Sequence, residues 1–140
     1  MRALIALDWS EQAFAAVREV SYLYDLHEVI LVHGIDLGMF QYPIVAEVSN
    51  MQGYDDFRKA MGKAGEQLLD HTSTLLPSEG LSIARVCEFG KPASLILDKA
   101  RETHADLIVI GARGRGRGGE LVLGSVSHRV ALHADCTTLI

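Results

Sequence analysis

Residues 106–125 read DLIVIGARGRGRGGELVLGS. The run Leu107 to Ile110 is uninterrupted and apolar, as a strand buried on both faces requires. The next stretch is different in kind: five glycines and three arginines fall within residues 111–119. The chain turns apolar again at Leu121 and reaches Gly124-Ser125, where GSVSHRVALHA reads as a helix capped by Ser125. A buried strand, a glycine-rich loop and a helix in direct succession make one unit of a parallel α/β sheet. In such sheets the loops leaving the carboxyl ends of the strands hold ligands.

Working outward, the same alternation fills the chain. ALIAL (3–7) is a second fully apolar run, ended by Asp8, and Ser10 is placed to cap the helix that begins EQAFAAV. EVILVHGID (28–36) gives a strand from Val29 to Val32 or His33, closed by Gly34. Residues 37–54 carry Pro43 and Gly53 with no dominant period and read as a long connection with room for a short helix. A helix continues the chain from Asp55, with Phe57, Met61, Ala64, Leu68 and Leu75 on its apolar stripe. LSIARVCEF (81–89) is a strand, Pro92 opens the next helix, and CTTLI (136–140) is a short last strand. Strand and helix alternate throughout, which predicts a parallel sheet covered on both faces by right-handed crossovers.

Composition narrows the possibilities. The chain has 140 residues, 49% of them apolar, which suits a single domain with a substantial core. A net charge of −5 disfavours nucleic-acid binding by the surface as a whole and makes Arg113, Arg115 and Arg117 a local exception. The two cysteines, Cys87 and Cys136, lie far apart and suggest free thiols in a cytoplasmic protein rather than a disulfide framework. No run approaches the roughly 20 apolar residues that a membrane helix needs, so no membrane association is expected.

Glycines let a backbone approach a ligand closely, and successive N–H groups of such a loop form a nest for an anion. The helix beyond the loop adds free N–H groups and a partial positive charge at its N-terminus. Phosphate is therefore the expected occupant, and Ser125 offers one more hydroxyl. The loop is not a Walker-type motif, because no lysine precedes Ser125.

The spacing Gly111-x2-Gly114-x9-Gly124-Ser125, together with DLIVIGARGRG and LVLGSVSHRVALHADC, resembles the universal stress protein family. The likeness extends to ALIALDWSEQA, EVILVHGID and GKPASLILDKARETHADLIVIG, and so to residues 1–140 as one domain of that type. The resemblance implies a Rossmann-like, adenine-nucleotide-binding α/β fold. Its open parallel sheet has five strands in the order 3-2-1-4-5, with helices on both faces. It also implies ATP, or ADP or AMP, as ligand, with Mg2+ accompanying the phosphates. Carried onto this chain, Gly111, Gly114, Gly124 and Ser125 hold ribose and phosphates, with help from the backbone of Val126. Asp8 lies near the base or ribose, and the backbone at Gly34 borders the adenine. Relatives often have valine at that last position; glycine keeps the backbone groups and gives up apolar contact worth about 1 kcal/mol. Trp9 is placed either to cover the pocket mouth or to pack at the sheet edge. Arg113 and its neighbours are placed either to pair with phosphate or to remain solvated. Relatives dimerise through the last strand, which here lacks their proline and ends early.

Dedicated catalysis is not indicated. Glu120 is the one acidic residue close after the loop, and it reads as a solvated charge; no residue is assigned a catalytic or metal-ligating role. The resemblance thus implies a nucleotide-responsive regulatory protein of the stress response, in which the ligand acts as a conformational or oligomeric switch read by a protein partner. Two alternatives stay open: a slow ATPase acting as a timer, and a nucleotide-free interaction protein.

Overall fold

The structure, a computed structural model, describes residues 1–40, 51–77, 79–113 and 123–140. In chain order the elements are β1 (Arg2–Ala6), α1 (Glu11–Leu23), β2 (Glu28–Ile35), a 3-10 turn (Leu37–Phe40), α2 (Met51–Ser73), β3 (Ser82–Phe89), α3 (Pro92–Glu102), β4 (Leu107–Ile110), α4 (Ser125–His133) and β5 (Thr137–Leu139). The five strands form one parallel sheet in the order β3-β2-β1-β4-β5. This is the predicted alternation and the predicted order.

Side chains alternate across the strands and build two cores. On one face Ala3, Ile5, Leu7, Val29, Leu31, Leu107 and Val109 meet Val17 and Val20 of α1 and Leu68 and Leu69 of α2. On the other, Leu4, Ala6, Ile30, Val32, Ile108 and Ile110 meet Ile96 and Leu97 of α3 and Val130 of α4. The apolar runs that look continuous in the sequence are continuous because β1, β2 and β4 are covered on both sides.

Three boundaries differ from the sequence reading. Gly34 does not close β2. It lies within the strand, opposite Glu88 of β3, and the ladder runs on to Ile35 opposite Phe89. α2 starts at Met51, four residues before the expected Asp55. Ser125 is not the cap of α4; Gly124 holds the extended cap conformation, with φ −62 and ψ 156, and Ser125 is the first helical residue. Most of the long connection read over 37–54, residues 41–50, lies outside the described residues, apart from the 3-10 turn at its start.

The ends of the helices have local causes. Ser10 caps α1 by accepting from the N–H of Ala13 at 3.2 Å. α3 ends in a Schellman motif: Ala105 N–H donates to the Ala100 carbonyl at 2.9 Å and His104 N–H to the Arg101 carbonyl at 3.1 Å. His104 takes the left-handed conformation, φ 51, that a glycine usually supplies there.

Candidate functional site

β1 and β4 are neighbours at the centre of the sheet, and their exits diverge. β1 leads into α1 on one face, and β4 leads towards α4 on the other. That divergence opens a crevice at the carboxyl ends of the two strands, the point at which strand order reverses. Asp8 and Trp9 leave β1 there, and Gly111, Ala112 and Arg113 leave β4 there.

Asp8 is half-buried and already engaged. Its Oδ1 accepts from the backbone N–H of Ser10 at 3.0 Å and from the Ser10 hydroxyl. The same hydroxyl oxygen caps α1, so Asp8 braces the first turn of that helix through Ser10, which is itself buried. Oδ2 takes no part in either bond. Trp9 is exposed at 43% of its surface, beside the crevice and outside either core.

Gly34 borders the crevice through its main chain. The Val32 carbonyl faces β1, where it accepts from Leu7 N–H at 2.8 Å, and the Ile35 carbonyl faces β3, where it accepts from Gly90 N–H at 3.0 Å. In a parallel strand alternate residues bond to alternate sides. The N–H and C=O of Gly34 therefore point to the β1 side, beyond the last residue of that strand. Its missing side chain points elsewhere: a Cβ would come within 3.0 Å of Pro92 Cα and 3.3 Å of Leu95 Cδ2. Glycine here lets the start of α3 sit close on β2. A side chain at this position packs on that helix, so the expected loss of contact with a base does not arise from the geometry.

Gly111 plays the matching part on the other wall. A Cβ there would lie 3.2 Å from Gln12 Cβ and 3.3 Å from the Ala13 nitrogen, in the first turn of α1. The glycine lets the end of β4 and the start of α1 approach. At the far end of the loop the Gly124 N–H donates to the Ala112 carbonyl at 2.8 Å, so the two ends of the loop are fastened together. Among the described residues no side chain caps α4. The N–H groups of Ser125 and Val126 in its first turn thus stand beside the crevice with the positive end of the helix dipole behind them. Ser125 is exposed and Val126 half-buried. Arg113 is half-buried at the start of the loop. Gly114, Arg115, Arg117 and Glu120 lie outside the described residues.

Two side chains that the sequence reading does not assign to the site help to shape it. Ser127 is buried at 2% exposure and reaches across the neck of the loop. His33 donates from Nδ1 to the Leu7 carbonyl at 2.8 Å, one residue before Asp8. A serine at the third position of a helix, after a glycine cap, is the available signal for the first. None exists for the second, because the contact joins two strands.

Among the described residues no three His, Cys, Asp or Glu side chains gather where they could hold a metal ion. Shallow grooves of about 400 and 720 Å³ run along the outer strand β3 and α2, lined in part by Arg58, Arg85, Cys87 and Phe89. Cys87 has its thiol pushed up by burial and then by the charge of Glu66. Iodoacetamide at mildly alkaline pH is therefore expected to alkylate Cys87 more slowly in the folded protein than in the unfolded chain, and Glu66→Gln to speed it; equal rates in all three samples contradict this. Stability is affected in the same direction. The unfolded thiol ionises first as pH rises, so the contribution of Cys87 is present below the ordinary thiol range and is lost above it.

The chain is an open parallel α/β domain whose strand order reverses between β1 and β4, the place where sheets of this kind bind ligands. The model of the Universal stress protein family matches residues 1–140, and the chain belongs to that family. Universal stress protein YxiE of Bacillus subtilis (strain 168) is 35% identical over 86 residues, 61% of this chain and 58% of that protein. The matched segment thus spans less than two thirds of that relative. Universal stress protein UspA from Lactobacillus plantarum shares the fold with a TM-score of 0.71 at 23% identity, over 99% of this chain and 95% of that one. A universal stress protein family protein from Arabidopsis thaliana with AMP bound does so with a TM-score of 0.66 at 18% identity, over 99% and 89%. Among the described residues no helix is long and apolar enough to cross a membrane.

Proposed function

We propose that this chain binds an adenine nucleotide in the crevice between β1 and β4 and serves the stress response as a nucleotide-dependent regulatory switch. The observation that carries this reading is the pair of opposed main-chain surfaces. On one wall the N–H and C=O of Gly34 face the open side beyond β1, matching the donor and acceptor edge of an adenine. On the other, the first turn of α4, which no described side chain caps, offers the N–H groups of Ser125 and Val126 to phosphate. The AMP-bound relative from Arabidopsis thaliana supports the ligand class.

Within this reading Asp8 takes a ribose or base group on Oδ2 while Oδ1 holds Ser10. Gly111, Gly114 and Gly124 keep side-chain bulk away from the phosphates, and Arg113 adds positive charge at the start of the loop. Trp9 covers the mouth. ATP is the physiological ligand, and Mg2+ rides on its phosphates, since the described carboxylates form no seat for it. The bound nucleotide engages the glycine loop and alters a homodimer built on β5, whose three residues form one edge of the sheet. The cytoplasmic assignment rests on the free thiols of Cys87 and Cys136.

Titration calorimetry of nucleotide-stripped protein tests the reading. AMP, ADP and ATP are expected to bind at one site per chain and to compete with one another, and ATP is expected to shift the dimer equilibrium in sedimentation. Heat changes no larger than those of dilution, for all three ligands, end the proposal.

A further inference from the structure

Ser127 is one of only a few buried polar residues among those described, at 2% exposure. Its hydroxyl lies 2.8 Å from the Ala112 carbonyl and 3.0 Å from the Gly124 carbonyl. The Ala112 carbonyl also accepts the Gly124 N–H at 2.8 Å. One hydroxyl, one amide and two carbonyls thus close the neck of the loop, joining the last residues of the β4 exit to the cap of α4. The bond to Gly124 is the local back-bond that a serine makes in a first helical turn. The bond to Ala112 spans fifteen residues and has no local reason.

We infer that Ser127 is a positioning residue for phosphate: it locks the start of α4 against the exit of β4 and so aims the N–H groups of Ser125 and Val126. This rests on the nucleotide reading above. Ser127 does not contact the ligand in this scheme, because its single proton is shared between two carbonyls of the protein. It acts by holding its neighbours still. A helix end tied only by its own backbone frays on a fast timescale, whereas one pinned to a central strand opens with the sheet. The lock is on the phosphate side of the crevice and distant in the chain from Asp8 and Gly34, so its effect is selective: phosphate recognition depends on it and base recognition does not.

The test uses Ser127→Ala in the full chain, a substitution that deletes one heavy atom from the interior. AMP and ATP affinities are expected to fall by roughly three- to tenfold, the factor that one lost hydrogen bond supplies, while adenosine affinity stays unchanged. In the nucleotide-free protein the Gly124 amide is expected to exchange its hydrogen several-fold faster than in the parent. An equal fall for adenosine, unchanged AMP and ATP affinities, or unchanged Gly124 exchange each overturns the inference. Should the parent protein bind no adenine nucleotide, the proposed function fails and takes the phosphate role of Ser127 with it. The exchange measurement then still reports whether the neck is locked by this hydroxyl, so the two failures are told apart.

Discussion

Gly65→Val is expected to destabilise the fold by about 1–3 kcal/mol, the usual range for forcing extra atoms into a packed interior. Gly65 is buried in the middle of α2, where that helix crosses β2 and β3. A Cβ at this position would stand 2.5 Å from Cys87 Sγ and 2.9 Å from His33 Cδ2. Neither partner has room to yield freely: Cys87 sits in the β3 ladder, and the His33 ring is tied to the Leu7 carbonyl. A helical glycine costs about 1 kcal/mol relative to alanine, and the chain retains it because the helix lies too close to the sheet for any side chain. Denaturant unfolding of the variant measures the effect. A midpoint equal to that of the parent, with equal slope, shows that α2 can lift away without cost. A second consequence is expected at the site, because a displaced His33 ring pulls on the backbone immediately before Asp8.

Gly111→Val is expected to weaken adenine-nucleotide binding by at least about tenfold, equivalent to roughly 1.4 kcal/mol. The Cβ would already be tight at 3.2 to 3.3 Å from the first turn of α1, and the two methyl groups of valine need more room than that. The cheapest relief is for the start of α1 to retreat from β4. That movement carries Ser10 and, through its hydrogen bonds, the carboxylate of Asp8. The two walls of the crevice then no longer meet a nucleotide together. Titration of AMP against the folded variant, with circular dichroism to establish the fold, decides the matter; retained affinity means that α1 does not set the width of the crevice.

The architecture is legible because β1, β2 and β4 announce themselves as continuous apolar runs, and Ile108, buried completely, is typical of them. Asp8 and Gly111 can likewise be placed near the ends of β1 and β4, since each follows an apolar run in the sequence; Gly114 lies outside the described residues. Other features depend on contacts between elements remote in sequence. Gly34 reads as a stop because glycine commonly ends a strand; β3 overrides that preference by supplying Glu88 and Phe89 as ladder partners. Ser125 reads as a cap because serine favours that position. The bond between Gly124 and Ala112 fixes the chain one residue earlier, and no local pattern encodes it. The brace made by His33 is hidden for the same reason, and of the bonds made by Ser127 only the local one to Gly124 has a signal in the sequence.

A segment whose two ends are already buttoned to each other exerts little pull on what lies beneath it. Joining Ala112 to Gly124 ties the exit of β4 to the start of α4 by a contact that no residue between them supplies. Lengthening such a stretch is thermodynamically mild, about 0.6 kcal/mol for each doubling. The stability of the sheet is thus insensitive to what is inserted between Ala112 and Gly124, whereas the proposed ligand site depends on the motif spacing.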